Sequence, residues 1–341
     1  MNQNIIRNGI MISMVLSMLC CHAYAQSDPA EIKAQFESVG LQPKNAYPPR
    51  KVAARYGAVL LMPDLFETPA VFDLDRQGLA PYLAERDFAV FTLDWQQAPK
   101  TDFDVLLNDQ LPRALEIVRA NTNREQPLFL IGHGFGAMAA LVYAANHPGE
   151  IDGVIGLGAT GRMLLGNEIF DKLIALEKSL PEAEPVPVKK GADFRPFSHM
   201  QLSALDILLA NGKDWEPARR QRYLSEVPAD LPRPLAQQMI GWAQTHSFTS
   251  VDGTRDYYKE IDKLSAPVLL IAGNADNIAD PLESIEMLKR IHGGKLDLRA
   301  LRILSEVNHN RDNYGHAQML TGAHAEKDVF KPIAKWLKTK H

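Results

Sequence analysis

LFLIGHGFGAMAA, residues Leu128–Ala140, decides the fold. Four apolar residues lead into Gly132-His133-Gly134-Phe135-Gly136, and an Ala-rich helical pattern follows. A strand that turns sharply into a helix through Gly-x-nucleophile-x-Gly exposes an attacking side chain at the central position. Gly134 stands at that position and has no side chain. Glycine adopts the strained turn at little steric cost, so the turn survives. A covalent intermediate needs an Oγ, an Sγ or a carboxylate there, and the elbow contains neither Ser nor Thr to replace it.

Other apolar runs flank this one. Gly57–Pro63, Phe88–Trp95, Pro127–Gly132, Gly153–Ala159, Ala266–Gly273 and Leu296–Ser305 read as strands, near-continuous in apolar character as strands covered on both faces are. Helical patterns fall between them at Leu74–Arg86, Val105–Ala120, Phe135–Asn146 and Pro281–Ile291, and Asp328–Lys340 reads as a closing amphipathic helix. The alternation predicts an α/β domain: a mostly parallel sheet with helices on both faces. Residues 161–255 break the rhythm. Leu164–Leu176, Met200–Leu209 and Leu235–Thr245 read as apolar helices joined by charged, Pro-rich stretches such as Ser179–Lys190, which predicts a helical cap inserted between two strands.

Residues 1–25 read as a signal peptide. Arg7 is their one charge, Ile10–Cys21 is apolar, and Ala23-Tyr24-Ala25 fits a small-x-small cleavage site. An apolar run of about 12 residues is short against the roughly 20 of a bilayer span, so no stable membrane span is expected after cleavage. The expected location is periplasmic or secreted. Both cysteines lie in this leader, so residues 26–341 carry no disulfide, Cys nucleophile or thiolate metal site. Their formal charge is −5, from 36 basic and 41 acidic residues, with no basic run, which argues against nucleic acid. No metal-ligand cluster and no phosphate-binding Gly loop is present, so no cofactor is implied.

The strand order, the Gly132–Gly136 elbow, Gly273-Asn-Ala-Asp276 and Tyr314-Gly315-His316 resemble the α/β-hydrolase superfamily, from about Tyr56 to the C-terminus. MPDLFETPAVFDL and LAERDFAVFTLDW resemble its polyhydroxyalkanoate-synthase-like branch, and GHAQMLTG…VFKPIAKWL resembles that branch and the acid lipases. The resemblance implies a nucleophile, an acid and a His in that chain order. Asp276, in the loop after a strand, is the expected acid, and Asp280 the expected cap of the helix from Pro281. His316 is the expected base, with His309 in VNHN as its rival. His133, inside the elbow, is expected to be packed. The expected oxyanion-hole donors are the backbone N–H groups of Phe135 and Leu65. Asp64, in Met62-Pro63-Asp64-Leu65, either opposes a developing oxyanion or turns to solvent or a turn cap.

Three functions follow. The first is an exported protein of this fold that binds a small apolar or acyl-bearing ligand, or a partner protein, without covalent catalysis. The superfamily includes binding proteins without the nucleophile, the neuroligins among them. The second is an enzyme in which His316 and Asp276 activate water or abstract a proton. The third is an ordinary esterase or lipase whose serine has been misread.

Overall fold

The computed structural model describes residues 29–42, 55–95, 99–161, 174–175, 177–181, 184–191, 215–291 and 299–340. The expected leader, the Met200–Leu209 helix and most of Leu164–Leu176 lie outside the described residues. Seven strands form one sheet in the order β1-β3-β2-β4-β5-β6-β7. They are β1 (Leu41–Gln42), β2 (Ala58–Met62), β3 (Ala89–Leu93), β4 (Leu128–His133), β5 (Gly153–Leu157), β6 (Val268–Gly273) and β7 (Arg299–Leu304). β2 to β7 are parallel, and β1 pairs antiparallel on β3, with Leu41 opposite Leu93.

Each of the six apolar runs carries one parallel strand, and β4 extends past its run to His133. Successive side chains point to opposite faces of a sheet, and both faces here are covered. Ala58, Leu60 and Met62 of β2 join one core, while Val59 and Leu61 join the other. β4 divides likewise, with Leu128 and Leu130 on one side and Phe129 and Ile131 on the other. Burial on both faces is what makes β2 to β6 apolar without alternation; β7, at the edge of the sheet, is mostly half-buried and carries Arg299 and Arg302, against the expectation of coverage on both faces.

The helix Phe135–Asn146 is buried from Phe135 to Ala145. A helix that is apolar all round belongs inside a protein, and this one lies between the sheet and what covers it. Its small residues let it approach closely. A Cβ on Gly136 would run into the carbonyl oxygens of Met62 and Pro63, and one on Gly132 into the backbone of Gly136 and Ala137. The two glycines of the motif therefore serve the contact between helix and strand ends.

Three helices depart from the expected spans. Leu74–Arg86 is a short 3-10 turn, Leu74–Arg76, followed by a helix over Leu79–Ala84. Asp75 and Arg76 have φ of 60° and 58°, which ends the first piece. The Val105–Ala120 helix starts at Phe103, where the Asp102 side chain accepts from Val105 N at 2.9 Å. It widens to a π turn at Leu106–Gln110 before continuing as Leu111–Ala120. Pro112 explains the widening, because it lacks the N–H that would close the ordinary turn. The closing helix repeats this: a π turn over Glu326–Phe330 precedes Lys331–Lys338, whose second residue is Pro332.

Of the expected cap, Val188–Gly191, Pro217–Glu226 and Arg233–Thr245 are helical. This region is tied to the loop after β2. Thr68 N donates to Val227 O at 2.7 Å, Ala229 N donates to Phe66 O at 2.8 Å, and Glu67 bridges to Pro228. Among the described residues, no helix is long and apolar enough to cross a membrane.

The Gly136 contact gives a direct test. Gly136→Ala is expected to lower the unfolding free energy by about 1–3 kcal/mol through overpacking, read from the urea midpoint. Gly241→Ala, in the helix Arg233–Thr245 where an added Cβ meets nothing within 4 Å, is the control and is expected not to lower it.

Candidate active site

β2 and β4 are neighbours, but the chain leaves β2 toward β3 on one side and reaches β4 on the other. Ligand sites of open parallel sheets lie at such a reversal, beyond the carboxyl ends of the strands. Asp64 follows β2, Gly134 follows β4, Asp276 follows β6 and His316 follows β7. The sheet thus brings four distant positions to one edge.

Gly134 has φ 54° and ψ −122°, the tight turn the motif predicts. Its N–H donates to Leu157 O at 2.9 Å, and its carbonyl accepts from Ala137 N at 3.1 Å. No side chain projects from it, yet the space is filled. A Cβ built on Gly134 would overlap the Asp64 carboxylate. Asp64 Oδ1 accepts from Leu65 N at 2.7 Å and from Phe135 N at 3.1 Å. These are the two N–H groups expected to form the oxyanion hole. Asp64 Oδ2 lies 3.1 Å from His316 Nε2.

Asp64 occupies the place of the expected oxyanion. It is fully buried, so it does not turn to solvent. It does not stand beside the hole and repel a charge there; its own carboxylate is the charge in the hole. The missing side chain at Gly134 makes the room for it.

Asp276 and His316 meet as the resemblance implies: His316 Nδ1 is 2.8 Å from Asp276 Oδ2. The other Asp276 oxygen accepts from Ile278 N at 2.8 Å and Ala279 N at 2.9 Å, which fixes the carboxylate. Asp280 caps the helix Pro281–Arg290 by accepting from Leu282 N at 2.8 Å. His309 is exposed, at a left-handed φ of 64°, and takes no part.

His316 thus has a carboxylate against each ring nitrogen. Burial opposes its charge, but Asp276 and Asp64 outweigh burial and hold its pKa well above the ordinary 6.5. It is an imidazolium clamped between two carboxylates, fully buried.

His133 is packed, as expected, and the residues packed on it form a second network. Its Nδ1 lies 2.7 Å from Glu67 Oε2 and its Nε2 3.2 Å from His316 O. The two imidazole rings are 4.2 Å apart. Tyr223 OH donates to Glu67 Oε1 at 2.8 Å, and Asp64 N donates to Glu67 Oε2 at 3.3 Å. Burial favours neutral Glu67, but His133, His316 and the Tyr223 hydroxyl outweigh it and lower its pKa. Burial and the Glu67 charge push Tyr223 well up. Glu67 and Tyr223 were not legible as site residues; the one available signal was Glu67 three positions after Asp64 in PDLFE. Among the described residues, no group of three His, Cys, Asp or Glu side chains is placed to hold a metal.

The family described as serine aminopeptidase, S33, matches residues 75–309, more than half of the chain, and the chain belongs to this family of α/β-hydrolases. No curated protein matches it. Solved structures agree on the fold. A Paleococcus ferrophilus monoacylglycerol lipase is 17% identical, with a TM-score of 0.55 over 83% of this chain and 95% of that one. A soluble variant of the Saccharomyces cerevisiae monoglyceride lipase is 20% identical, with a TM-score of 0.56 over 84% and 87%. A carboxylesterase structure from the thaumarchaeon Nitrososphaera gargenis is 13% identical, with a TM-score of 0.58 over 84% and 93%.

The clamp sets a pH dependence. A histidine whose folded pKa is raised contributes stability that is fully present below its unfolded value, near 6.5, and lost as pH rises through the folded value. The His316 Cε1–H resonance is expected to titrate well above 6.5 in the native chain and at a lower pH in Asp64→Asn. Melting temperature is expected to fall as pH rises from about 6.5 to the folded value, and the fall is expected to end at a lower pH in the variant.

Proposed function

We propose that this chain is an exported α/β-hydrolase-fold protein that binds a small apolar or acyl-bearing ligand without serine-type covalent catalysis. The observation that carries this reading is the Asp64 carboxylate in the space of the missing nucleophile. It bears on all three parts of acyl transfer. No atom at Gly134 attacks a carbonyl. The N–H groups of Leu65 and Phe135 are engaged by Asp64, so a tetrahedral oxyanion finds no donors. His316, held as imidazolium, has no lone pair to accept a proton.

The same clamp argues against the second reading. Activation of water or proton abstraction by His316 and Asp276 needs a neutral imidazole with a free Nε2, and that nitrogen faces Asp64. The apolar or acyl-bearing character of the ligand is supported by the lipase and carboxylesterase structures that share the fold. Export is supported by the leader-like pattern of residues 1–25.

The test is turnover of p-nitrophenyl octanoate and labelling by a fluorophosphonate. The native chain is expected to show no burst and no label. Gly134→Ser alone is expected to stay silent, because the new side chain is built against Asp64. Gly134→Ser with Asp64→Gly is expected to exceed it by on the order of 100-fold, the usual worth of an oxyanion-hole donor. Native turnover that disappears in His316→Ala would overturn the reading.

A further inference from the structure

We infer that the surface cleft where the inserted region meets the C-terminal segment is a second binding site, which takes a small aromatic carboxylate between Arg76 and Arg219. The inference does not rest on the proposed function: none of Asp64, Gly134, Asp276 and His316 lines this cleft. Its volume is about 200 Å³, room for one small molecule and below the roughly 300–1,000 Å³ of drug-sized pockets. Three separate stretches wall it: residues 76–85 after β2, Arg219 of the helix Pro217–Glu226, and residues 320–330 after His316.

The two arginines define the charge of the ligand. Among the described residues, neither Arg76 nor Arg219 has a carboxylate in ion-pair contact. Arg219 makes one long bond, from Nη2 to Gln77 O at 3.4 Å, and its buried Nε has no partner. Burial pulls its pKa below the ordinary value, against the opposing charge of Glu216. A half-buried guanidinium short of partners carries a free-energy cost that a bound carboxylate offsets. Arg76 is exposed at φ 58°, next to Asp75 at φ 60°. Side chains other than glycine stay in the left-handed region only where their surroundings hold them, and such residues gather at ligand clamps. Here the turn brings Arg76 to the cleft wall.

Two glutamates also line the cleft. Glu85 lies 3.7 Å from Arg86, so its charge is answered from outside the cleft. Glu326 has no ion-pair partner among the described residues. Two cations therefore stand against one unanswered anion, a balance that suits a single negative charge and disfavours a phosphate dianion. The rings of Tyr82 and Phe330 supply the apolar wall, 5.7 Å apart and inclined by 55°. A planar carboxylate matches the fork of a guanidinium, and a flat ring behind it covers the aromatic wall. A bare inorganic anion leaves that wall wet, and an alcohol leaves the arginines unanswered.

The full chain is titrated by calorimetry with sodium benzoate, benzyl alcohol and inorganic phosphate, and its melting temperature is followed with each. Benzoate is expected to bind with a Kd of about 1 mM or below and to raise the melting temperature by mass action. Benzyl alcohol and phosphate are expected to bind at least about tenfold more weakly. Arg219→Gln and Arg76→Gln are each expected to weaken benzoate at least about tenfold, the worth of a hydrogen bond to a charged group, and to abolish its effect on melting. Glu326→Gln, at an exposed position, is expected to tighten benzoate about twofold by removing a like charge. Arg76→Gln changes an exposed side chain and keeps the test decisive if Arg219→Gln fails to fold. The inference is overturned by a native chain that does not bind benzoate, by benzoate binding undiminished in the arginine variants, or by phosphate or benzyl alcohol binding as tightly as the acid. Turnover of p-nitrophenyl octanoate that depends on His316 sinks the proposed function and leaves this cleft untouched.

Discussion

The Asp64 carboxylate holds the carboxyl edge of the sheet together. A buried charge is tolerated when it is paired and its remaining polar atoms are hydrogen-bonded. Asp64 meets both conditions, with two backbone donors on one oxygen and an imidazolium on the other. His316 meets them through Asp64 and Asp276 together. Loss of His316 leaves the Asp64 charge without its partner in the interior, whereas loss of Asp64 leaves His316 paired with Asp276 alone. Gly134 is the steric condition for both, because a Cβ there and the Asp64 carboxylate exclude each other. Two positions on different strands therefore form one structural unit, and neither is interpretable without the other.

The unit is buttressed from behind. Glu67 links Asp64 N, His133 and Tyr223. Tyr223 belongs to the helix Pro217–Glu226, so one side-chain chain of contacts runs from the elbow to the inserted region. The backbone bonds of Phe66 and Thr68 to Ala229 and Val227 run beside it. The loop carrying Asp64 is thus set by the sheet on one side and the insertion on the other, which orients its side chain inward.

Much of this was legible in the sequence, and the parts that were not share a cause. β2 to β6 announce themselves because both of their faces are covered, so apolar residues run nearly unbroken, while β7, at the edge of the sheet with Arg299 and Arg302, is mostly half-buried. β1 escapes because two residues, one of them Gln42, carry no pattern. The π turns at Leu106–Gln110 and Glu326–Phe330 escape a 3.6-residue period because Pro112 and Pro332 alter the hydrogen bonding without altering composition. Asp276 and His316 are recognisable by chain order, and the structure places them 2.8 Å apart. Asp64 could be located but not oriented. Its direction depends on a side chain absent seventy positions later, and no local window contains both facts. The Glu67–Tyr223 bond spans 156 positions and is invisible for the same reason.

Membership of a hydrolase family and the loss of its chemistry that we propose are compatible because the two are written in different residues. The matched region, 75–309, contains Gly134 and Asp276 but neither Asp64 nor His316. β3 to β7 and the helix Phe135–Asn146 lie within it, while β2 does not, and packing is what the family and the solved structures share. The chemistry is decided by what fills a few cubic ångströms above Gly134. Donors placed for an oxyanion are indifferent to its origin: the oxygen of a tetrahedral intermediate and the oxygen of a carboxylate both carry negative charge to the same spot. On the proposed reading, the missing side chain at Gly134 and the Asp64 carboxylate turn a site that would generate charge during a reaction into one that already holds it. On that reading the imidazole of His316 is held between two carboxylates instead of facing a nucleophile.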